Sequence, residues 1–413
     1  MKNTLFLFLF LFLFSPLYIQ ANVIEVGASK PVQSIKKAIA IAKVDDTILV
    51  HNGLYKEGNI VIDKKIVFIG KDFPILDGQK KYEVLSIKAD SVIVEGLKII
   101  NSGYGTLEDP CGIKVYNRKN IVIQNNILEN NFFGIYIQNG KNCIVKENKI
   151  RAYGKQEQLI GNGIHCWKSD SLQISANTIS GHRDGIYFEF VTNSVIWRNI
   201  SIMNVRYGLH FMFSNDDAYI SNIFKNNGAG VAVMFTKRVK MFNNFFEENW
   251  GDSAYGLLLK EISDSYIIGN KFDKNTTGIH MEGTSRILVE KNGFKANGWG
   301  MKIQASCMDN EIKNNNFIGN TFDIATNGNL VLNTFNSNYW DKYEGYDLDK
   351  NGIGDVPFHP LSLFAVITEN NPSAMLLFRS FMITLLDKSE KILPSITPDN
   401  FIDKTPLMHS LTL

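Results

Sequence analysis

Cysteine is scarce in this 413-residue chain: four residues, too few and too scattered to make a disulfide framework. Net charge is nearly absent too, with 43 Lys+Arg against 41 Asp+Glu and a formal +2. That excludes a strong electrostatic footprint for nucleic acid. No P-loop, Ser-His-Asp or HExxH pattern occurs. Beyond residue 14 no apolar run is long enough to cross a bilayer. Charged residues make up 20% and hydrophobic ones 45%, so the chain is neither disordered nor a polytopic membrane protein. One compact core does not extend to this length. A repeat architecture does, because each unit needs only its neighbours.

The N-terminus has its own character. Met1-Lys2-Asn3 is a short basic start, residues 5–14 are an unbroken run of Leu and Phe, and Ser15-Pro16 ends it. This reads as a secretory signal peptide cleaved near Ala21. The run is short for a membrane anchor, and no Cys lies near the cleavage point, which argues against a lipoprotein. The expected place of work is outside the cytoplasm.

What is abundant is a repeat. Gly precedes an apolar residue at Gly112, Gly134, Gly163, Gly185, Gly208, Gly230, Gly256, Gly278 and Gly300. The spacing is 22 or 23, except 29 before Gly163 and 26 before Gly256. Asn keeps the same period at Asn126, Asn148, Asn177, Asn199, Asn222, Asn244, Asn270 and Asn292. Two residue classes on one period mark an internal repeat. Each unit holds three short strands rich in Ile, Val, Phe and Tyr, with breakers too close together for helices. Three strands per 22 residues describe one coil of a parallel β-helix, stacked at about 4.8 Å. Asn suits the left-handed bend between strands and can hydrogen-bond along the stack. The long gaps place insertions at 155–162 and 252–255, with a further one at 104–110. Residues 34–43 carry helical periodicity and are expected to cap the open N-terminal edge. A helix-like stretch runs from 371 to 391, apolar on one side through Leu376, Phe378, Phe381, Leu385 and their neighbours. It is either a second cap or a docking element for a protein or membrane surface.

Alternation along the strand after each Gly sends positions +1 and +3 inward. Positions +2 and +4 are then expected to face solvent as two stripes: His165/Trp167, Tyr187/Glu189, His210/Met212, Ala232/Met234, Leu258/Lys260, His280/Glu282 and Lys302/Gln304. A bland solenoid would carry Lys, Thr and Ser there. Met212 and Met234 occupy equivalent places on adjacent coils, with His210 two residues from Met212. One imidazole and two thioethers suit Cu(I), a soft ion. The competing reading is a partner surface built on methionine. Cys307 and Met308 are a weaker soft-metal candidate, against a simple buried turn. Cys166 is expected inward as a core thiol.

Two further constellations remain. Asp347, Asp349, Asn351 and Asp355, with Gly352 at the turn, have the ligand alternation of a calcium loop, but Phe358 stands where an EF-hand carries its Glu. The alternative is a self-bonded Asx-rich turn. Asp184, Glu189, Arg206 and His210 form a second cluster. It would suit a polysaccharide lyase or epimerase, since β-helix enzymes of that kind need a carboxylate or base facing a cation.

Longer stretches carry a resemblance. GHRDGIYFEFVTNS, RYGLHFMFSNDD, NNGAGVAVMFTK, YGLLLKEISDS, KIQASCMDN, GNTFDIATNG, NSNYWDKYEGYDLDKNGIGDVPFHP and the tail EKILPSITPDNFIDKTPLM resemble the NosD family. These are extracytoplasmic copper-handling accessory proteins of nitrous oxide reductase maturation. The resemblance covers essentially the whole mature chain. It implies an all-β, right-handed parallel β-helix and a non-enzymatic periplasmic subunit working with an ABC permease and ATPase. It implies Cu(I) received from a small copper chaperone and passed on to nitrous oxide reductase, and it makes the apolar C-terminal stretch a permease-docking helix. Cu(I) ligands carry over at His210, Met212 and Met234. Expected partner contacts are His165, Trp167, Tyr187, Glu189, Phe378, Phe381 and Leu385. The expected divisions are 1–21 signal peptide, 22–79 cap and first coils, 80–345 β-helix, 346–370 Asp/Gly-rich loops and 371–413 C-terminal helix and tail.

Overall fold

A computed structural model describes residues 22–105, 109–154, 160–328, 332–378, 380–392 and 401–413. The expected signal peptide lies outside the described residues, as do parts of the insertions at 104–110 and 155–162. The rest is a parallel β-solenoid. Strands of mostly three to six residues stack rung on rung. One sheet has 13 strands, and a second, 25-stranded sheet makes up the remaining wall. Register is uniform. Ile186, Leu209, Val231, Leu257, Ile279, Met301 and Ile324 stand above one another, all enclosed in one core. Neighbouring rungs bury each other's apolar faces, which is how a chain of this length stays packed through a core only one coil wide. Phe224, Phe246, Phe272, Phe294, Phe317 and Trp340 form a stack inside it, with ring centroids 4.2–5.6 Å apart.

The asparagines do one of the two jobs expected of them, the hydrogen-bonded ladder, and not the left-handed bend. The left-handed residue at each bend is the one before the repeating Asn: Glu147 (φ 59°), Ala176 (53°), Arg198 (54°) and Ser221 (54°), for example. The Asn that follows is buried and forms a ladder. Its backbone N–H donates to the side-chain oxygen of the next Asn, 2.8–3.0 Å away, from Asn126 through Asn338. A second ladder runs through Asn204, Asn227, Asn249, Asn275, Asn297 and Asn320. Both satisfy backbone donors that a sharp corner would otherwise leave buried and unpaired.

The first ladder ends on the tail. Asp403 is fully buried and accepts from the N–H and side-chain amide of Asn338, the Ser337 N–H and the Trp340 indole, at 3.0–3.1 Å. Residues 401–413 therefore return to close the last rung. Removing this acceptor leaves several buried donors unpaired, so Asp403→Ala should lower stability by about 3 kcal/mol. Urea unfolding would measure that, and limited proteolysis should show the tail released.

At the other end the helix Ile35–Ile41 covers the first coil, with Ser34 capping it and Glu57 accepting from the Ile35 and Lys36 N–H groups. The C-terminal helical region starts earlier than expected and is broken. It comprises Leu363–Asn370, a 3-10 turn Pro372–Leu377 and Phe381–Ile392. Ser362 caps the first of these, and Phe364 and Ala365 seat it on the last coils, so 346–370 is not all loop. Among the described residues no helix is long and apolar enough to cross a membrane.

Candidate functional site

Gly185 sets the local geometry. A Cβ there would strike Ser201 and the Gly208 carbonyl inside the coil, so only Gly fits. The chain kinks at this point, and strict alternation fails across it. Ile186 lies in the core, yet Asp184, two residues away, reaches residues of the outer face. The outer face thus has three stripes. In register they are Asp184/Tyr207/Ala229, Tyr187/His210/Ala232 and Glu189/Met212/Met234.

The middle stripe is far less open than expected. Tyr136, His210 and Ala232 are buried, His210 with 5% of its surface exposed. The reason is ring against ring: Tyr136 to His165 at 4.5 Å, His165 to Tyr187 at 4.9 Å and Tyr187 to His210 at 5.0 Å. Tyr207 flanks His210 from the side at 4.9 Å. His165 keeps only a partly exposed edge, with its Nδ1 2.9 Å from the Asn162 amide. Desolvation, with Arg183 nearby, pushes its pKa down to about 3. His165, like Tyr187, is partly exposed on the middle stripe. Trp167 and Glu189 remain half-buried on the outer stripe.

Around His210 the groups are charged and enclosed. Asp184 has no exposed surface. Arg206 donates to both its oxygens, with Nε 2.8 Å from Oδ1, and the Tyr207 N–H lies 3.3 Å from Oδ1. Burial alone would raise the Asp184 pKa, but the Arg206 and His210 bonds outweigh it and hold the carboxyl below its usual range. His210 Nδ1 lies 3.6 Å from Asp184 Oδ2 and 3.5 Å from the Arg206 guanidinium. Its Nε2 is buried and has no partner.

Met212 and Met234 are paired in register on adjacent rungs and half-buried, and the Tyr187 hydroxyl lies 3.7 Å from the Met212 sulfur. Glu189 precedes them on the stripe and Lys260, paired with Glu282 at 3.0 Å, follows. His210 is on the same strand as Met212 and the same face. Met234 stands in register with Met212 on the next rung, and His210 with Ala232.

The sequence reading passed over one feature beside the thioethers. Phe190, Phe213 and Phe235 directly follow Glu189, Met212 and Met234. They stack at 5.1 and 5.2 Å, and each is about two-fifths exposed. All three hold left-handed backbone, φ 50–55°, a conformation bulky residues rarely adopt. The left-handed corner recurs in other coils, at Asn117, Asn139, Lys168 and Glu261, so what sets these three apart is an exposed aromatic stack beside the thioethers. Their 22–23-residue spacing was visible in the sequence.

The remaining candidates do not converge. Cys307 is buried in the core while Met308, its neighbour, is half exposed, so the two face opposite sides of the wall and share no metal position. In the Asp347–Asp355 loop the carboxylates and Asn351 accept from the loop's own amides, at Asn351, Gly352, Ile353 and Leu348. That is the Asx-turn arrangement. Phe378 packs on Phe322 and Phe364, whereas Phe381 (80%) and Leu385 (49%) are open. All four cysteines are free and buried, Cys166 in the core as expected.

His182, beside this site, makes a pH prediction. It is fully enclosed, and burial lowers its pKa to about 4. Unfolding lets it take a proton below its ordinary 6.5, so its contribution is intact above pH 6.5 and is lost as pH falls toward 4. At pH 5 the loss should be about 2 kcal/mol. Urea midpoints across pH should show this component, and His182→Leu should lack it.

A family model described as "Periplasmic copper-binding protein (NosD)" matches residues 152–345, the stretch that holds this site. Two curated relatives carry the name "Probable ABC transporter binding protein NosD". The one from Pseudomonas aeruginosa is 28% identical over 371 residues, covering 85% of this chain and 86% of its own. That from Stutzerimonas stutzeri is 27% identical over 372 residues, covering 85% and 84%. The chain is similar to the NosD family. Among solved structures, the A-modules of two Azotobacter vinelandii mannuronan C-5 epimerases, AlgE6 and AlgE4, superpose with TM-scores of 0.53 and 0.51. They cover 73% of this chain at 12% and 14% identity, a likeness of fold alone. The chain therefore shares the solenoid fold with these epimerase modules and is similar in sequence to proteins named as ABC transporter binding proteins.

Proposed function

We propose that this chain is a NosD-family protein, a periplasmic, non-enzymatic copper relay of an ABC transporter. It takes Cu(I) as cargo from a small copper chaperone, holds it transiently at His210, Met212 and Met234, and passes it on for assembly of the copper sites of nitrous oxide reductase. One observation carries the reading: two thioethers, Met212 and Met234, stand in register on adjacent rungs, with His210 two residues from Met212 on the same strand. Soft donors of this kind select Cu(I). The family description and the names of the relatives support the metal and the transporter. The exposed Phe190, Phe213 and Phe235 give the copper donor an apolar rim beside the thioethers. The open apolar side of Phe381–Ile392 is the surface offered to the permease, and association with the membrane runs through it. The expected signal peptide, cleaved near Ala21, supplies the compartment.

The carbohydrate-enzyme reading has less support. Its general acid or base would be Asp184, whose oxygens are taken by Arg206 and the Tyr207 amide.

The test is anaerobic competition for Cu(I) against a colorimetric chelator, with and without a candidate chaperone. Folded mature protein should withdraw copper from the chelator. Folded protein that withdraws none, or that turns over an acidic glycan instead, overturns the reading.

A further inference from the structure

We propose that the N-terminal end of the same outer face holds a second ligand site: a cationic cleft at Lys80, Lys81 and Lys88 that binds a carboxylate-bearing oligosaccharide. The inference stands apart from the copper reading and shares no residue with it.

Register fixes the place. Ser86 and Lys114 pair on adjacent rungs, and their stripe runs on through Tyr136, His165 and Tyr187 to His210. Five rungs at about 4.8 Å put the cleft about 24 Å from His210. Its volume is about 840 Å³, enough for a ligand larger than a single sugar ring.

The walls are held by backbone bonds. One wall is the turn 78–82 and the other is residues 103–105. The Lys80 N–H donates to the Asn101 carbonyl at 2.8 Å, and the Gly103 N–H to the Tyr82 carbonyl at 2.9 Å. Gly103 allows this approach, since a Cβ there would stand 3.0 Å from the Lys81 carbonyl. The floor is a closed network around Glu83. Tyr116 donates to its carboxylate at 2.9 Å, the Ser86 hydroxyl donates to it as well, and the Asn59 amide donates to Ser86 at 2.8 Å. Lys114, only 7% exposed, lies 3.9 Å from Glu83 and offsets its charge.

Three ammoniums are left facing the cleft. Lys80, Lys81 and Lys88 are exposed and line it. Among the described residues none of the three is in an ion pair, and Lys88 lies over the Tyr116 ring at 5.1 Å. With Glu83 already offset by Lys114, the cleft is an anion site. The lining then says which anion. It contains no aliphatic side chain, no Met and no Phe, whereas a protein partner is met by buried apolar and aromatic anchors. An amide, a hydroxyl and the ring of Tyr104, 68% exposed at the rim, suit a hydroxylated chain that carries carboxylates. The C–H face of a sugar packs on such a ring, and the ammoniums meet the acid groups as point charges. Turnover is not expected, because the Glu83 oxygens are already taken and no other carboxylate lines the cleft.

The probe is trigalacturonate, titrated by calorimetry into folded mature protein. It should bind, lose affinity as salt rises, and be recovered uncut. Lys81→Gln and Lys88→Gln should each weaken it about tenfold, the loss of one charge-assisted contact. Both residues are exposed, so the fold should stand, and Cu(I) capture should equal that of the wild type. Tyr104→Ala should weaken trigalacturonate and leave tripolyphosphate unchanged. The inference is overturned if trigalacturonate does not bind, if binding ignores the lysines, or if Tyr104→Ala leaves it as tight. It is overturned equally if hexaglutamate or tripolyphosphate binds as well, which would make the cleft an acidic-peptide or general anion site. Copper capture is measured on the same samples, so failure of the copper reading and failure of this one are told apart.

Discussion

Asn199→Ala should cost about 4 kcal/mol, the largest single effect expected on this fold. The Asn199 side chain is fully buried. Its oxygen accepts the backbone and side-chain N–H groups of Asn177, both at 2.9 Å. Its amide donates to the Ile174 carbonyl (2.9 Å), the Trp197 carbonyl (3.1 Å) and Asn222 Oδ1 (3.0 Å). Alanine removes all of these and fills none of the space. Each buried polar group left unpaired costs about 1–3 kcal/mol, and Asn177 and Ile174 are both buried. Aspartate is no rescue, because a carboxylate cannot donate to Ile174 and faces the oxygen of Asn222. The control is Asn226→Ala. Asn226 is exposed and left-handed at φ 54°, so alanine there should cost about 1 kcal/mol at most, because it lacks the short polar side chain that lets Asn tolerate this backbone. Urea unfolding of both variants separates the ladder from the bend. Equal costs would mean that the asparagines serve the corner and not the ladder.

The solenoid was legible because two residue types kept one period. Gly185 and its equivalents mark where no Cβ fits, and an Asn recurs where a corner must be satisfied from inside. What the period could not convey was contact across rungs. His210 looked exposed when counted along its own strand. It is buried because Tyr187 and Tyr207 close over it from neighbouring positions, and alternation says nothing about them. Asp184 was counted as a carboxylate near a histidine, and its true place depends on the kink at Gly185, where two residues of the same parity turn opposite ways. The Asp403 cap was out of reach for another reason. It pairs with Asn338 across 65 residues, and no local pattern announces a return of that length. The thioether pair was readable, since equivalent positions on adjacent coils must be neighbours.

Met212→Ser with Met234→Ser should lower Cu(I) affinity by about a hundredfold, or about 2.8 kcal/mol at 1.4 kcal/mol per decade, and leave the fold as it was. The two residues are on the outer stripe and only half-buried, so the stability change should stay near 0.5 kcal/mol, apart from the lost Tyr187 contact. Serine offers a hard oxygen in place of a soft sulfur, and Cu(I) discriminates strongly between them. With both thioethers gone, only His210 remains, and one imidazole does not hold a soft monovalent ion against a chelator. Each single variant should lose about tenfold, because the surviving sulfur still shares the ion with His210. The pattern across the three variants is the informative part. A large loss confined to the double variant would mean that the thioethers substitute for one another along the stripe. No loss in any of them would take copper away from this face altogether. The methionines would then be what methionine beside stacked phenylalanines otherwise suggests, an adaptable apolar surface for a protein partner.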